Sequence, residues 1–403
     1  MWIKHGLIIL SLVFLILVIL SLRGIQTSSL DDEAVTRDPS TLRLESRFAQ
    51  DDLMVRLLRS SEDSLAMTEI KQIFHIPLPD EVRGFYWTAS TAGSPRADEL
   101  RTYMNESGLN TVVIDLKMDN GEIAFVPNNE TLRVYQQAQP AIADLDALLS
   151  KLFSDKIYRI ARIAVMRDGI FGRVHPEFAL KQTNGTFWLD KIGSIWVDPS
   201  APEVAEYAIA LAREAYARGF DEVQFDYVRF ASDGSLQSIV YPIYVQKESM
   251  VFVMQNFFKT VGNAMRQDNI PISFDLFGMT FWSFDDFSIG QRLIDVLPYA
   301  DFVSPMVYPS HYVDGFKGYA NPAEFPYEIV KLTLDEGTRL IHGFFAGSDA
   351  QLQKRWRPWL QDFDIGAIYT SDKIEAQIKA ARDAGGSGWI LWNARNVYEQ
   401  AEY

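Results

Sequence analysis

Short runs of β-branched and aromatic residues alternate with longer helical stretches throughout residues 81–403. This alternation is typical of repeated strand–helix units whose strands lie parallel in one sheet. Eight such runs occur, and eight parallel strands with helices between them close a barrel. The predicted strands are Arg83–Trp87, Thr111–Lys117, Ile157–Met166, Glu222–Tyr227, Ile272–Phe277, Phe302–Tyr308, Arg357–Gln361 and Gly388–Trp392. The sequence therefore predicts an α/β fold of the (β/α)8 or TIM-barrel type.

The segments between the predicted strands support this interpretation. Helices are clearest at Pro202–Arg218 and Ile374–Ala384. The alternative, an open doubly wound sheet, would favour a glycine-rich phosphate-binding turn after the first strand, where this chain has Trp-Thr-Ala-Ser. Long connections follow strands 3 and 6, at Arg167–Pro199 and Pro309–Pro326. In a barrel both lie on the C-terminal rim, where active sites are built.

An uncharged and almost wholly apolar run occupies residues 6–22. At about 1.5 Å per helical residue it is long enough to cross the hydrocarbon core of a bilayer. The residues that follow lack the small-residue pattern of a signal-peptide cleavage site. We therefore predict a transmembrane anchor in residues 1–25, a short helical juxtamembrane stalk in residues 26–80 and the barrel in residues 81–403. The expected location is the cell membrane, single-pass, with the barrel outside the cytoplasm.

Several classes of function are disfavoured by composition. The formal net charge of −15 argues against a nucleic-acid partner, which requires clustered Lys and Arg. The absence of Cys from the sequence excludes thiolate metal sites and a Cys nucleophile. The five His residues show no paired spacing, and neither a G-x-S-x-G elbow nor a P-loop occurs. We expect no metal and no cofactor.

The most informative segment is GFDEVQFDYVRF at residues 219–230, because strand 4 ends in an acidic residue where packing needs only apolar ones. Side chains alternate along a strand, so Gln224 and Asp226 share a face. If that face points into the barrel, Asp226 lies at the catalytic rim. The alternative is a structural ion pair between Asp226 and the nearby Arg229.

Strand 5, PISFDLFG, repeats the pattern, with Ser273 and Asp275 on one face. Two adjacent strands thus deliver carboxyl groups to the same rim. Glycoside hydrolysis needs this pair, one group as nucleophile or base and the other as proton donor. Asp275 could instead be a polar plug in the barrel or a helix cap.

The spacing of neighbouring strands bears on stereochemistry. Adjacent strands lie about 4.8 Å apart, and retaining glycosidases hold their carboxyl groups about 5–5.5 Å apart, against about 6.5–9.5 Å in inverting ones. Asp226 and Asp275 are therefore predicted to support a retaining mechanism. Asp115 and Asp362 are the next candidates for the acid.

Further rim residues are candidates for substrate binding. Asp115 and Lys117 share a face of strand 2, where they either neutralise each other or bind sugar hydroxyls. Aromatic residues at the rim either pack in the core or provide stacking platforms. The complete set of predicted substrate-binding residues is Tyr86, Asp115, Lys117, Gln224, Arg229, Trp282, Tyr308, Gln361, Asp362, Trp392 and Asn393.

Seven segments of the sequence carry a resemblance to a known family. They are RGFYWT, WVDPSAPEVAEYA, GFDEVQFDYVRF, PISFDLFG, SPMVYPSHY, RPWLQDF and GWILWNA. Over Glu81 to Tyr398 the chain resembles the "putative glycosyl hydrolase domain" family of bacterial envelope proteins. The resemblance implies a barrel-fold glycosidase in which Asp226 matches the catalytic Asp that several related families carry on strand 4. Those families often have Glu as the second acid, where this chain has Asp275.

We therefore expect a glycoside hydrolase that acts on an extracytoplasmic polysaccharide through Asp226 and Asp275. A more distant similarity to enzymes that cut poly-galactosamine implies an amino-sugar polymer as a candidate substrate. The alternative is a catalytically silent barrel that binds glycans at the cell envelope, since a barrel does not guarantee chemistry. A third hypothesis, a deacetylase, would need a divalent metal and His ligands that the sequence does not assemble.

Overall fold

The computed structural model describes residues 73–403, and these residues contain a closed barrel of eight parallel strands in sequential order. The strands are β1 Val82–Trp87, β2 Thr111–Lys117, β3 Tyr158–Ala164, β4 Glu222–Asp226, β5 Ile272–Phe277, β6 Phe302–Met306, β7 Trp359–Gln361 and β8 Gly388–Trp392. The predicted (β/α)8 fold is confirmed. The predicted anchor and most of the predicted stalk lie outside the described residues, and no helix within residues 73–403 is long and apolar enough to cross a membrane.

Helices occupy the connections between successive strands. They are α1 Ala89–Ala92, α2 Arg96–Ser107, α3 Leu145–Ser154, α4 Gly169–Val174, α5 Pro202–Arg218, α6 Met250–Asp268, α7 Leu293–Val296, α8 Pro326–Leu340, α9 Asp349–Gln353 and α10 Ser371–Asp383. The predicted and observed bounds of α5 coincide. Pro202 occupies its first turn, where a missing N–H costs nothing, and Gly219 ends it in a left-handed conformation at φ 113°.

The barrel wall is buried on both faces, as parallel strands flanked by helices must be. Every residue of β2 and β3 is buried. On the outer face, Phe225 of β4 stacks on Phe274 of β5 with ring centroids 5.5 Å apart, and Phe258 of α6 packs against Phe274 at 5.1 Å. These contacts hold the ends of β4 and β5 at fixed positions.

The barrel interior contains an apolar cluster and buried polar groups. Its apolar cluster consists of Val82, Tyr86, Val113, Tyr158, Ile160, Tyr308, Trp359 and Ile390. Next to this cluster, Arg357 Nη2 lies 2.5 Å from Glu222 Oε1, and the side chains of both residues are completely buried. Ser273 Oγ and Tyr158 Oη also donate to the Glu222 carboxylate, at 2.7 and 3.1 Å.

Strand 7 is shorter than predicted. The sequence predicts Arg357–Gln361, whereas β7 begins at Trp359 and pairs with β6 at one position, Met306 with Trp359. Pro358 explains the difference, because it has no N–H to donate to a neighbouring strand. Strands β3 and β6 also end two residues earlier than predicted, so that Tyr308 belongs to the loop after β6.

Candidate active site

A cavity of about 640 Å³ opens at the C-terminal end of the barrel. It is lined by Arg162, Asp226, Tyr227, Met306, Tyr308, His311, Trp359, Phe363, Asp364, Ile365, Trp392, Asn393, Ala394 and Arg395. These residues come from strand ends and from the loops after β4, β6, β7 and β8. The cavity therefore occupies the rim where the sequence places the candidate site.

Asp226 is the carboxylate that strand β4 presents to this cavity. Arg162 donates to its Oδ2 atom from Nη2 at 2.5 Å and from Nε at 3.1 Å. The backbone N–H of Tyr227 donates to Oδ1 at 2.6 Å. The predicted alternative, an ion pair with Arg229, is wrong: Arg229 donates instead to Phe230 O and Ser232 Oγ, both at 3.0 Å.

Arg162 was not among the residues predicted from sequence. It extends from β3, whose register places it beside Asp115 of β2 and Gln224 of β4. Its guanidinium also binds the Asp115 carboxylate, which in turn accepts a hydrogen bond from the Tyr86 hydroxyl. The signal in the sequence is an Arg in the otherwise apolar end of YRIARIA, on the same face as Tyr158, Ile160 and Ala164, which are all buried.

Asp275 points into the barrel from the adjacent strand. The last paired residues of β4 and β5 are Phe225 and Phe274, and the two acidic residues follow them directly. Asp275 is 1% exposed and does not line the cavity. Its Oδ1 atom accepts a hydrogen bond from the indole N–H of the cavity residue Trp359 at 2.7 Å, whereas Oδ2 has no partner among residues 73–403.

The surroundings of Asp275 favour its neutral form. Burial raises its pKa well above the ordinary value, and the negative charge of Asp226 acts in the same direction. The two carboxyl groups therefore differ, because Asp226 receives three donated hydrogen bonds, two of them from a cation. Enzymes use such differences in surroundings to favour the ionised form of one carboxyl group and the protonated form of its neighbour. One residue type can then supply both a base and an acid.

Aromatic side chains form one wall of the cavity. Tyr308 lies 5.7 Å from Trp392 and 5.6 Å from Phe363, measured between ring centroids, and Phe363 meets Trp392 edge-on at 5.2 Å. Tyr308, Trp392 and Asn393 are the residues predicted to bind substrate that line the cavity, together with Asp226. Tyr86 lies behind this wall, with its ring 6.4 Å from that of Trp392.

The expectation that Lys117 and Asp115 neutralise each other is wrong. An irregularity in the pairing of β2 with β3 separates these two positions, because Asp115 aligns with Arg162 and Lys117 aligns with the next residue. Lys117 is 1% exposed and forms an ion pair with Asp168 at 2.7 Å. Lys117 also donates to Ala164 O and does not line the cavity, so its ammonium group is not placed to bind a sugar hydroxyl there.

Four further predicted binding residues make contacts within the protein. Gln224 donates to Ser304 Oγ at 2.9 Å, and Gln361 donates to Phe363 O at 2.9 Å. Trp282 donates to Thr333 Oγ1 at 3.1 Å. Asp362 accepts from the backbone of the C-terminal segment, and burial raises its pKa to about 7. None of the four lines the cavity within the described part of the chain.

The sequence does not predict several of the cavity residues, because they lie in loops. They are Tyr227, His311, Phe363, Asp364 and Arg395. Tyr227 ends a predicted strand and each of the others follows one within a few residues, which is the available signal. In residues 73–403, no group of three or more His, Cys, Asp or Glu side chains could hold a metal ion.

The sequence profile of the family described as "Putative glycosyl hydrolase domain" matches residues 84–398. A comparison with curated proteins finds no match. Among solved structures, the PgaB (BpsB) glycoside hydrolase domain from Bordetella bronchiseptica aligns with a TM-score of 0.53 at 12% identity, covering 78% of this chain and 94% of that one. A hypothetical protein from Ruminiclostridium thermocellum aligns at 27% identity with a TM-score of 0.42, covering 47% of this chain and 96% of that one. The first likeness supports the barrel fold.

Proposed function

Because the chain belongs to the "Putative glycosyl hydrolase domain" family, we propose that it is a glycoside hydrolase in which Asp226 acts as nucleophile or base and Asp275 as proton donor. The observation that carries the assignment is the pair of carboxyl groups on adjacent strands with opposite surroundings. Asp226 is paired with Arg162 at the cavity wall, and Asp275 is buried and favoured in its neutral form. Protonation of the leaving oxygen and attack at the anomeric carbon need these two states together.

The register of β4 and β5 supports a retaining route. Asp226 and Asp275 follow directly after paired residues of adjacent parallel strands, whose spacing is about 4.8 Å. In this route the Asp226 carboxylate attacks the anomeric carbon while Asp275 gives its proton to the glycosidic oxygen. Water then cleaves the resulting ester, with Asp275 acting as base. No cofactor takes part in the route that we propose.

The substrate that fits the cavity is a polysaccharide or oligosaccharide. Flat aromatic rings such as Trp392 and Tyr308 stack on the apolar faces of sugar rings, and the Asp226 carboxylate lines the same cavity as an acceptor for sugar hydroxyls. A cavity of about 640 Å³ accommodates a small number of sugar residues. Sugar identity and linkage are left to experiment, with an amino-sugar polymer among the first to test.

A glycan screen tests the function. The purified protein is incubated with a panel of bacterial and plant polysaccharides, including amino-sugar polymers, and new reducing ends are measured. The anomer released first is then identified by proton NMR. We expect cleavage of at least one polymer with retained configuration. An inverted first product would make Asp226 a base and would require an acid other than Asp275.

The alternative function is a catalytically silent glycan-binding barrel, which the complete burial of Asp275 would suit. The same screen separates the two hypotheses when binding is measured alongside cleavage. Calorimetric binding of an oligosaccharide without release of reducing ends by the wild-type protein would favour the silent barrel. Binding with cleavage would favour the hydrolase.

Asp275→Asn should make the barrel more stable at neutral pH. Burial raises the folded-state pKa of Asp275 above the unfolded value of about 3.9, so its neutral form stabilises the fold below about pH 4. That contribution is lost as the pH rises through the folded-state pKa. The wild-type and variant proteins should therefore unfold at similar urea concentrations near pH 4 and diverge at higher pH, the variant being more stable.

Asp362→Asn provides the matched comparison. Burial raises the pKa of Asp362 to about 7. The difference in stability between this variant and the wild type should therefore grow between about pH 4 and 7 and stay constant above that. Urea unfolding of the three proteins at several pH values makes the measurement. A stability difference for Asp275→Asn that is independent of pH would contradict a buried neutral carboxyl group.

We also propose that residues 6–22 anchor the protein in the cell membrane with the barrel outside the cytoplasm. The proposal is supported by the apolar run and by the absence of a cleavage-site pattern after it. Full-length protein should remain in the membrane fraction after a high-salt wash. A matched chain without residues 1–25 should appear in the soluble fraction. Release of a soluble chain that begins near residue 25 would contradict the anchor.

A further inference from the structure

The indole of Trp359 connects the cavity to the buried carboxyl group of Asp275. Trp359 lines the cavity and is 2% exposed, and its Nε1–H donates to Asp275 Oδ1 at 2.7 Å. The two residues belong to β7 and β5, so the hydrogen bond passes over the intervening strand β6. Asp275 is therefore one hydrogen bond away from a side chain of the cavity wall, although it does not line the cavity itself.

The indole that makes this hydrogen bond has little freedom to turn. Trp359 pairs with Met306 of β6 on one side and with Ile390 of β8 on the other. The ring of Tyr86 meets the indole edge-on, with ring centroids 6.3 Å apart. A large side chain that is almost completely buried in a packed interior keeps one orientation. The indole N–H therefore stays directed at Asp275.

The hydrogen bond decides which oxygen of a neutral Asp275 carries the proton. A protonated carboxyl group has a hydroxyl oxygen, which donates, and a carbonyl oxygen, which is the better acceptor. Because the indole N–H binds Oδ1, Oδ1 is the carbonyl oxygen and Oδ2 the hydroxyl. Oδ2 is buried and has no hydrogen-bond partner within residues 73–403. In an active site, such a group is suited to a hydrogen bond that forms only with the substrate.

Several groups act on the ionisation of Asp275. Burial has the largest effect and raises its pKa well above the ordinary value, and the charges of Asp226 and Glu222 on β4 act in the same direction. Arg162 on β3 and the indole N–H lower the pKa, since both favour the carboxylate. Tyr308, in the loop after β6, also interacts electrostatically with Asp275. The indole hydrogen bond thus leaves the acid protonated but easier to ionise than burial alone would make it.

We propose that Trp359 is a positioning residue: its indole N–H holds Asp275 Oδ1 as the carbonyl oxygen and leaves the acid proton on Oδ2, which donates it to the glycosidic oxygen. The inference deepens the proposed function and rests on Asp275 being the proton donor. The proton leaves Oδ2 as the glycosidic C–O bond breaks and Asp226 bonds to the anomeric carbon, and the new Asp275 carboxylate keeps the hydrogen bond from Trp359. A role in stacking on a sugar ring would use the face of the indole and would not need its N–H.

The decisive comparison is Trp359→Phe against Trp392→Phe. Both residues line the cavity and both variants keep an aromatic ring, but the N–H lost from Trp359 is the one that donates to Asp275. We expect Trp359→Phe to move the alkaline limb of the pH profile of kcat/KM about one to two pH units higher, because the Asp275 carboxylate loses a hydrogen bond that favours it. Its kcat should fall about three- to tenfold, since a weaker acid gives up its proton more slowly.

Trp392→Phe should raise KM and leave the alkaline limb in place, because the ring of Trp392 contacts the aromatic wall rather than the acid. An alkaline limb that is unmoved in Trp359→Phe, or that moves equally in both variants, would overturn the proposal. Infrared difference spectra then locate the proton without substrate. The spectrum of the wild type minus that of Asp275→Asn contains the C=O stretch of the protonated carboxyl group. An N–H donor lowers the frequency of this stretch, so Trp359→Phe should raise it, and an unmoved band would contradict Oδ1 as the carbonyl oxygen.

The wild-type spectrum is a second test if Trp359→Phe does not fold. Its carboxyl band at neutral pH should lie at lower frequency than that of a monomeric carboxylic acid in an apolar solvent, whose carbonyl accepts no hydrogen bond. A missing band, or a band at the frequency of the free acid, would overturn the inference. The infrared measurements also separate this inference from the proposed function. If the bands are as expected and the protein cleaves no glycan, the proton is on Oδ2 as inferred and the hydrolase proposal alone fails.

Discussion

Asp226→Asn is expected to lower kcat by about 10²–10⁴-fold on any glycan that the protein cleaves, with little change in KM. Asn has the shape of Asp, and its single carbonyl oxygen can still accept a hydrogen bond from either Arg162 or the Tyr227 N–H. It lacks the negative charge that attacks or stabilises the anomeric carbon. The loss therefore falls on the transition state rather than on ground-state binding. Steady-state kinetics on the polymer identified in the screen make the measurement, and circular dichroism checks the fold.

Asp115→Asn is the matched comparison for this variant. Asp115 binds the same guanidinium and is 6% exposed, but it does not line the cavity. If the loss in Asp226→Asn arose only because Arg162 has lost an anionic partner, the two variants would lose activity equally. We expect a clearly smaller loss for Asp115→Asn. Unreduced turnover in Asp226→Asn would rule out Asp226 as the catalytic carboxylate.

Arg357→Met should destabilise the barrel by about 3–5 kcal/mol, the range typical of a buried ion pair that loses one partner. The aliphatic part of Met can still pack against Phe302, over whose ring the guanidinium lies at 3.7 Å. The remaining Glu222 carboxylate would then be fully buried without its cation, with the hydroxyls of Ser273 and Tyr158 as its remaining donors. Urea unfolding at pH 7, followed by tryptophan fluorescence, gives the free energy of unfolding.

The double variant Glu222→Gln with Arg357→Met tests the cause of that loss. Replacing Glu222 by Gln removes the unpaired carboxylate and should recover part of the lost free energy of unfolding. The reason is that the desolvation of an unpaired buried ion is the main cause of the destabilisation. A double variant less stable than Arg357→Met alone would indicate that packing, not charge, explains the effect.

The sequence predicts the architecture well because its signals are local. The bounds of β2, β5, β8 and helix α5 coincide with those predicted. Continuous apolar runs and helix-ending glycines are properties of single segments, and each can be recognised without knowing its neighbours. Strand 7 was predicted too long because a proline inside an aromatic run weakens pairing without removing the β-type pattern.

The site was harder to predict because its contacts join distant segments. Alternation places Asp226 and Asp275 on the interior face, but it cannot identify Arg162, which is 64 residues away from Asp226 in sequence. Lys117 shows a second reason. The pairing of β2 with β3 is irregular between Asp115 and Lys117. Because a shift of one residue moves a side chain to the opposite face of a strand, regular alternation does not predict the contacts of Lys117. The strand sequences show Arg162 and Lys117 as charged residues among apolar ones, but they do not show which partner each side chain contacts.

The net charge of the group formed by Arg162, Asp115 and Asp226 changes during the reaction that we propose. When Asp115 and Asp226 are both ionised, one guanidinium serves two carboxylates, and this group of three side chains carries one excess negative charge. Formation of a glycosyl ester at Asp226 consumes that charge and leaves Arg162 and Asp115 as a neutral pair. In the covalent intermediate, the positive charge of Arg162 and the negative charge of Asp115 therefore cancel. Hydrolysis restores the excess charge and with it the nucleophile for the next turnover.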